Sequence, residues 1–478
     1  MFFGREDVLD QLTSLWGKRV SSLVTCRGRR RIGKSTVIER FAIQSGSRFI
    51  KIEGKRPRPG MTNETELQEF ARQLADQCDT ERTVPSDWRD AFRRLESVVK
   101  DDEKTVVLLD EVSWLAYYSE DFADDLKIIW DNKLKKHDRL VLVVCGSVSS
   151  WIRDNIVDNS AYMGRRSLDV VVRELPLHEC VKFWGPAADR IATKEILDVL
   201  SVTGGVPRYL EEINPSLSAA ENIRNLAFRP NGVLRVDFDE MFADVITRRP
   251  RFSAEVLECL VDGPLGTPEI AKRLGIGRSG NITLALRQLE EAGFVSSDAG
   301  INPETKEVTR DRNYRLRDNY SRFYLKCIRP AVRIIDEGSY AFHSLDQFAE
   351  WNSIMGLAFE NLVVNNYREL LSPLHMDRAL VLSAAPFRRA ASAKTGCNGV
   401  QIDLLVQTKM AVCVVEIKRR REIGREIIAE ISEKCDKLPK RSGVSLRTAL
   451  LYEGELAPSV EADGYIDSVI PARRLLGL

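Results

Sequence analysis

The chain has 478 residues, 71 Lys and Arg against 70 Asp and Glu, and a formal net charge of +1; the length suggests about three domains, and the charge balance excludes a globally basic nucleic-acid coat, leaving only local patches such as Arg27–Arg31, Thr247–Arg251 and Lys418–Arg421. Hydrophobic residues at 44% and charged residues at 29% fit a globular protein able to bury a core, while nine scattered cysteines without CxxC or zinc-spaced Cys/His pairs, and four distant histidines, speak against a disulfide frame or structural zinc. No apolar run approaches the ~18 residues that span a bilayer, and "MFFGRED" lacks a basic leader, so no membrane partner is expected and the cytoplasm is the expected compartment.

The first informative stretch is "SSLVTCRGRRRIGKSTVIERFA". It predicts a strand over Leu23–Cys26, a G-x-x-x-x-G-K-S loop, and an amphipathic helix from Ser35 to about Ile43. Gly28 and Gly33 let the backbone curl so that its N–H groups face phosphates. Lys34 places a positive charge at the β- and γ-phosphates, and Ser35, followed by Thr36, brings a hydroxyl to Mg²⁺ at the positive end of a helix. These residues predict ATP and Mg²⁺ as cofactors.

"KTVVLLDEVSWL" follows as a continuous apolar run ending in Asp110 and Glu111. Such runs fit strands buried on both faces of a parallel sheet, whose C-terminal tips line the ligand crevice. Asp110 is expected to hold Mg²⁺ through water, and Glu111 to polarise the attacking water. A third buried strand, "RLVLVVCGSVSSW", ends at Ser147, which can reach the γ-phosphate or that water. In "YMGRRS", Arg165 or Arg166 is a candidate arginine finger toward a neighbouring subunit, which makes a homo-oligomer conceivable. "TGGVPRYLEE" reads as a turn and a helix with Pro207 near its start.

Together, "FFGREDVLDQL", "GRRRIGKST", "LLDEVSWL", "CGS", "YMGRR" and "GGVPRYL" resemble the prokaryotic, archaeal-type AAA+/STAND-like ATPases related to the origin-recognition proteins. The resemblance covers roughly residues 1–250. It implies that Phe3, Gly4 and Arg5 line the base pocket, that Gly205, Val206 and Pro207 belong to a nucleotide-sensing lid, and that ATP is hydrolysed rather than only bound.

The middle of the chain predicts three helices: Ser253 to about Val261; "TPEIAKRLG", with Thr267 as N-cap, Pro268 at the first position and Gly275 beyond the end; and about Gly280–Ala292, with Ile282, Ala285, Leu286, Leu289 and Ala292 on one face. A β-hairpin follows, and the pattern is that of a winged helix-turn-helix. Arg278, Asn281, Thr283 and Arg287, with Arg310, Arg312, Arg315 and Arg317 around the wing, are expected to be exposed and are suited to DNA phosphates and base edges. Glu290, Glu291 and Asp311 would repel them, and a packing or oligomerisation role stays open.

From about Glu350 a new α/β unit is predicted: the amphipathic helix "WNSIMGLAFENLVVNNYRELL", a strand "RALVLSAAPF", the hairpin "QIDLLVQTKMAVCVVEIKRRRE", a charged helix from Glu422 to about Cys435, and a strand "LRTALLYEG". The period of two puts Glu416 and Lys418 on one face, and a turn at Thr408 and Lys409 brings Asp403 opposite Glu416. Two carboxylates that close resist joint ionisation unless a cation lies between them, and Mg²⁺ suits oxygen ligands. Asp403, Glu416 and the Ile417 carbonyl are the expected ligands, with Lys418 orienting or deprotonating a water that attacks a phosphodiester. The hairpin resembles the PD-(D/E)xK phosphodiesterases, and "GLAFE" resembles their first helix; this implies that Glu360 joins the site. Gln401 stands where relatives often have Glu.

The expected architecture is α/β: a P-loop ATPase core (1–185), a helical lid (186–250), a winged helix-turn-helix (251–330) and a small restriction-endonuclease-like α/β domain (331–478). The expected activity is ATP hydrolysis coupled to action on DNA through a Mg²⁺-dependent phosphodiesterase tail. The alternative is a nucleotide-controlled switch, or a DNA-binding regulator, with an inactive tail.

Overall fold

The computed structural model describes residues 2–147, 149–245, 249–277, 280–298, 312–341, 344–345, 351–389, 399–438 and 443–478. Arg278, Arg310, Asp311 and part of the Thr247–Arg251 patch lie outside them. The chain forms two compact units: one is Gly4–Glu174 with a few residues from Asp244, and the other holds Phe3, Leu175–Ala243 and the remainder to Leu478.

The first unit is built on five parallel strands: β1 (Ser22–Arg27), β2 (Arg48–Glu53), β3 (Thr105–Asp110), β4 (Leu140–Gly146) and β5 (Arg166–Val171). They lie in the order β2-β3-β4-β1-β5. Every residue of β3 and β4 is buried, as their unbroken apolar sequences require of strands covered on both faces. One face packs Ile50, Ile52, Val107, Leu109, Leu142 and Val144 against Phe70, Trp88, Phe92 and Phe122. Helix Lys34–Gln44 covers the sheet through Val37, Ile38, Phe41 and Ala42, and Gly33 at its N-cap has φ 84°, a conformation that favours glycine. Because the chain leaves β1 in one direction and continues on strands lying to either side of it, the tips of β1, β3 and β4 open a crevice at one edge.

In the second unit, helices Pro250–Cys259, Thr267–Arg273 and Gly280–Glu291 pack with β6 (Leu265–Gly266), β7 (Val295–Asp298) and β8 (Asn313–Leu316). The antiparallel order is β6-β8-β7. Ile282, Ala285, Leu286, Leu289 and Ala292 are buried, while Asn281, Thr283 and Arg287 are exposed, as their spacing predicts. Thr267 is not the N-cap: Gly266 holds that position, and Glu269 reaches back to its N–H at 2.8 Å. Arg315 is not an exposed wing residue either. It is buried, because helix Trp351–Asn365 covers that face of the small sheet; its guanidinium pairs with Asp298 at 3.0 Å and bonds Asn361 and Asn365.

The C-terminal sheet is β13-β12-β11-β10-β9, comprising β9 (Ser383–Arg389), β10 (Val400–Gln407), β11 (Ala411–Ile423), β12 (Ser445–Leu456) and β13 (Ser468–Pro471). β10 and β11 form the expected hairpin, closed where Thr408 N–H donates to the Ala411 carbonyl at 2.8 Å. The charged helix begins later than predicted, at Glu426. The reason is that β11 continues to pair with β12 as far as Ile423–Leu456 through a register shift after Arg419. Gly454 permits that step, since a Cβ there would stand 1.7 Å from the Arg420 carbonyl oxygen.

Residues 175–243 belong to the same compact unit as the tail. Leu177, Trp184, Leu197 and Leu200 share one apolar core with Phe359, Leu362, Leu404, Val415 and Leu451. The opposite face of the sheet packs Ile402, Leu405, Val414 and Leu450 against Ile427 and Ile431 of helix Glu426–Asp436.

Candidate functional sites

At the crevice of the first unit, the loop after β1 bends tightly around Gly28. A Cβ there would meet the Val172 carbonyl oxygen at 2.2 Å, so the residue has to be glycine. Lys34 is buried, and its ammonium donates to the Arg29 carbonyl at 3.1 Å. Ser35 Oγ donates to Asp110 Oδ2 at 2.5 Å, which puts the two expected magnesium ligands in contact. Thr36, one residue further along the helix, is exposed. Glu111 takes a left-handed conformation with φ 47°, and its carboxylate accepts from Ser147 Oγ at 2.7 Å. Ser147 therefore touches the proposed water-polarising residue directly. Arg5 donates to the Ile32 carbonyl at 3.1 Å, clasping the loop, and Gly4 beside it has φ 69°.

Sequence reasoning missed Lys51. Its ammonium lies 3.2 Å from Asp110 and 2.7 Å from Glu53, and its pKa is raised because these bonds and charges outweigh burial. Its position on β2 gave no signal, since only the sheet order brings it to Asp110. The Arg165 guanidinium is held by Asp131 at 2.8–3.0 Å. Arg166 donates to the Val157 carbonyl at 3.0 Å. Pro207 opens a short helix in the other unit.

The second cluster is in the C-terminal sheet. The β10–β11 ladder pairs Leu404 with Val415, so its next step sets Asp403 opposite Glu416. Asp403 sits where the pairing of β10 with β9 shifts register between Ile402 and Leu405, an irregularity of the kind that re-aims side chains. Its Oδ2 accepts from the Ile417 N–H at 2.9 Å. Glu360, from helix Trp351–Asn365, hydrogen-bonds Asp403. Burial and the neighbouring Asp403 charge push the Glu360 carboxyl up to about 8; burial and the Glu416 charge raise Asp403 also. Glu360, Asp403, Glu416 and Lys418 are thus brought together.

Glu416 is fully buried. Lys418 Nζ stands 2.8 Å from its Oε1, and Lys434 Nζ stands 2.5 Å from its Oε2 and 3.9 Å from Asp403 Oδ1. Lys418 also pairs with Glu430 at 2.8 Å. Burial opposes the Lys418 charge, but these two carboxylates outweigh it and raise its pKa. Lys434 and Glu430 were not found from sequence. Both lie on one face of helix Glu426–Asp436, where charged residues read as solvated.

A cleft opens beside Asp403, lined by Glu360, Arg315, Arg322, Arg388, Gln401 and Phe387 among others. Arg322 is buried there, and burial followed by the Arg315 charge lowers its pKa to about 10. Among the described residues, no three His, Cys, Asp or Glu side chains are spaced to cage a metal ion by themselves, and no helix is long and apolar enough to cross a membrane.

Residues 2–213 match the family model of an ATPase domain found predominantly in Archaea. The structure is similar to that of a Walker-type ATPase of Pyrococcus abyssi, 17% identical, covering 68% of this chain and 96% of that one with a TM-score of 0.50. It is also similar to the ORC2 protein of Aeropyrum pernix solved with ADPNP and ADP, 14% identical, covering 70% and 93%, TM-score 0.42. An uncharacterised protein of Methanocaldococcus jannaschii is 23% identical over 407 residues, spanning 85% of this chain and 84% of its own length. The crevice geometry and the match over residues 2–213 together support ATPase activity in an N-terminal part similar to ATPase domains found predominantly in Archaea.

Proposed function

We propose that this ATPase acts on DNA and that its C-terminal sheet carries a Mg²⁺-dependent phosphodiesterase site. The observation that carries the reading is the convergence of Glu360, Asp403, Glu416 and Lys418, from a helix and two strands, beside a cleft with arginines in its walls. The donor set suits a hard cation. Mg²⁺ is commonly held by one or two carboxylates, with waters and substrate phosphates completing the shell, so Asp403 and Glu416 suffice without a third acid. Bound there, it would supply charge neutralisation and an activated water. Lys418 orients the scissile phosphate, Glu360 shares a proton with Asp403 until the cation arrives, and Arg388 and Arg322 line the path of the backbone.

In the ATPase crevice, Lys34 would meet the β- and γ-phosphates, Ser35 and Asp110 would hold Mg²⁺, and Glu111, bonded by Ser147, would orient the water. Three helices and a three-stranded antiparallel sheet support reading residues 251–330 as a winged helix, with Asn281, Thr283 and Arg287 exposed along its third helix. The test is incubation of the purified chain with Mg²⁺ and single-stranded, duplex and branched DNA or RNA. Cleavage lost in Asp403→Asn and in Lys418→Ala supports the reading; cleavage that persists in both, or is absent on all substrates, removes it.

One observation favours a second reading, a nucleotide-controlled switch with a silent tail: lysines already occupy both oxygens of Glu416. This version predicts a change of assembly size between ADP and a non-hydrolysable ATP analogue, and no strand scission.

A further inference from the structure

The proposed tail site has a cation of its own. Lys434 enters from the face of the sheet opposite to the helix that carries Glu360, and its ammonium touches Glu416 Oε2 at 2.5 Å while standing 3.9 Å from Asp403 Oδ1. Glu416 is wholly buried and Asp403 nearly so. Buried carboxylates need a compensating charge, and this lysine supplies it from between them. The remaining oxygen of Glu416 is taken by Lys418, which is itself anchored on Glu430. Lys418 therefore has a second carboxylate to stay with, whereas Lys434 makes both of its ion pairs to the two acids expected to receive a metal.

We infer that Lys434 is a resident counter-cation that competes with the divalent metal for Asp403 and Glu416, so that the metal enters only as the ammonium swings away. A divalent ion at normal oxygen distances of ~2–2.6 Å and an ammonium within hydrogen-bond distance of the same oxygen would repel strongly. The lysine side chain is long, flexible and partly exposed at 23%, so it can leave toward solvent without moving the helix. The tail site is then held closed by charge, and its metal affinity is set by a residue that is not a ligand. This inference rests on the carboxylate-site reading above.

The experiment is titration of the full chain with Mn²⁺ in the absence of nucleotide, reading free Mn²⁺ by its electron paramagnetic resonance signal. Wild type is compared with Lys434→Met, Lys434→Gln and Lys434→Arg, each with and without Asp403→Asn, and urea unfolding of the full chain reports that each variant is folded. Binding attributable to the tail is the part abolished by Asp403→Asn. The expected result is tail binding at least tenfold tighter in Lys434→Met and Lys434→Gln, with Lys434→Arg staying close to wild type. Asp403-dependent binding that is equal or weaker in both neutral variants overturns the competition while leaving the metal site standing. Absence of any Asp403-dependent binding in wild type and variants alike overturns the site itself, and the competition with it.

Discussion

Replacing Ser147 by alanine tests the ATPase crevice most directly. Ser147 Oγ donates to the Glu111 carboxylate at 2.7 Å, and the Ser147 N–H adds a longer contact at 3.3 Å. The variant keeps the backbone contact and loses the hydroxyl. A hydrogen bond to a charged group contributes about 1.5–3 kcal/mol, which corresponds to roughly 10- to 150-fold in the fraction of Glu111 held in place. Glu111 also sits at a left-handed φ of 47°, so an unheld side chain has a strained backbone to relax. Steady-state ATP hydrolysis should therefore show kcat reduced about tenfold or more, with ATP affinity changed by less than about twofold, because the Ser147 hydroxyl is bonded to Glu111. Glu111→Gln alone should be as slow as Glu111→Gln combined with Ser147→Ala, since the serine acts through the glutamate. Fully additive losses, or a weakened ATP affinity with kcat intact, would refute the argument and return Ser147 to an ordinary strand-end residue.

Gly28→Ala should abolish nucleotide binding measured by fluorescent-ATP titration, because its Cβ would stand 2.2 Å from the Val172 carbonyl oxygen. Arg315→Met leaves Asp298 buried without its partner at 3.0 Å; a cost of about 3–5 kcal/mol is expected, visible as a lower urea midpoint, and a cost below about 1 kcal/mol would contradict the clamp. Glu360 gives a pH dependence of definite sign. Its carboxyl is raised to about 8 in the folded chain, so the folded state keeps a proton that the unfolded state has lost above the ordinary carboxyl range. Stability in metal-free buffer should fall as pH rises toward 8. Thermal unfolding scans should show this slope flattened in Glu360→Gln, and a slope unchanged in that variant would refute the assignment.

The two acid clusters were legible in the sequence to different depths. The P-loop could be read because its chemistry is local: two glycines, a lysine and a serine at fixed spacing between a strand and a helix, and acids at the end of an apolar run. The Asp403–Glu416 pairing could be read because period two and a short turn fix a hairpin register. What stayed hidden came from elements far apart in sequence. Lys51 reaches Asp110 only through the strand order, and Lys434 reaches Glu416, and Glu430 reaches Lys418, only because their helix lies under that face of the sheet. Arg315 was misplaced because β8 alone does not show that a helix 35 or more residues downstream will cover it, although Trp351–Asn365 does so. The strand end at Ile423 was missed because a charged run resembles an exposed helix until its partner strand is known.

One boundary has practical weight. The family match ends at residue 213, yet Ile213 and Trp184, Leu197 and Leu200 before it are interior residues of a core completed by Phe359, Val415 and Leu451. Asp198, on helix Thr193–Thr203, forms a buried ion pair with Arg419, the neighbour of Lys418. A gene fragment stopping at the end of the match would leave this greasy surface bare and take Arg419 away from Asp198, so it should precipitate on expression where the whole polypeptide does not. The natural scissor line for dissection is Glu174, not the edge of the homology.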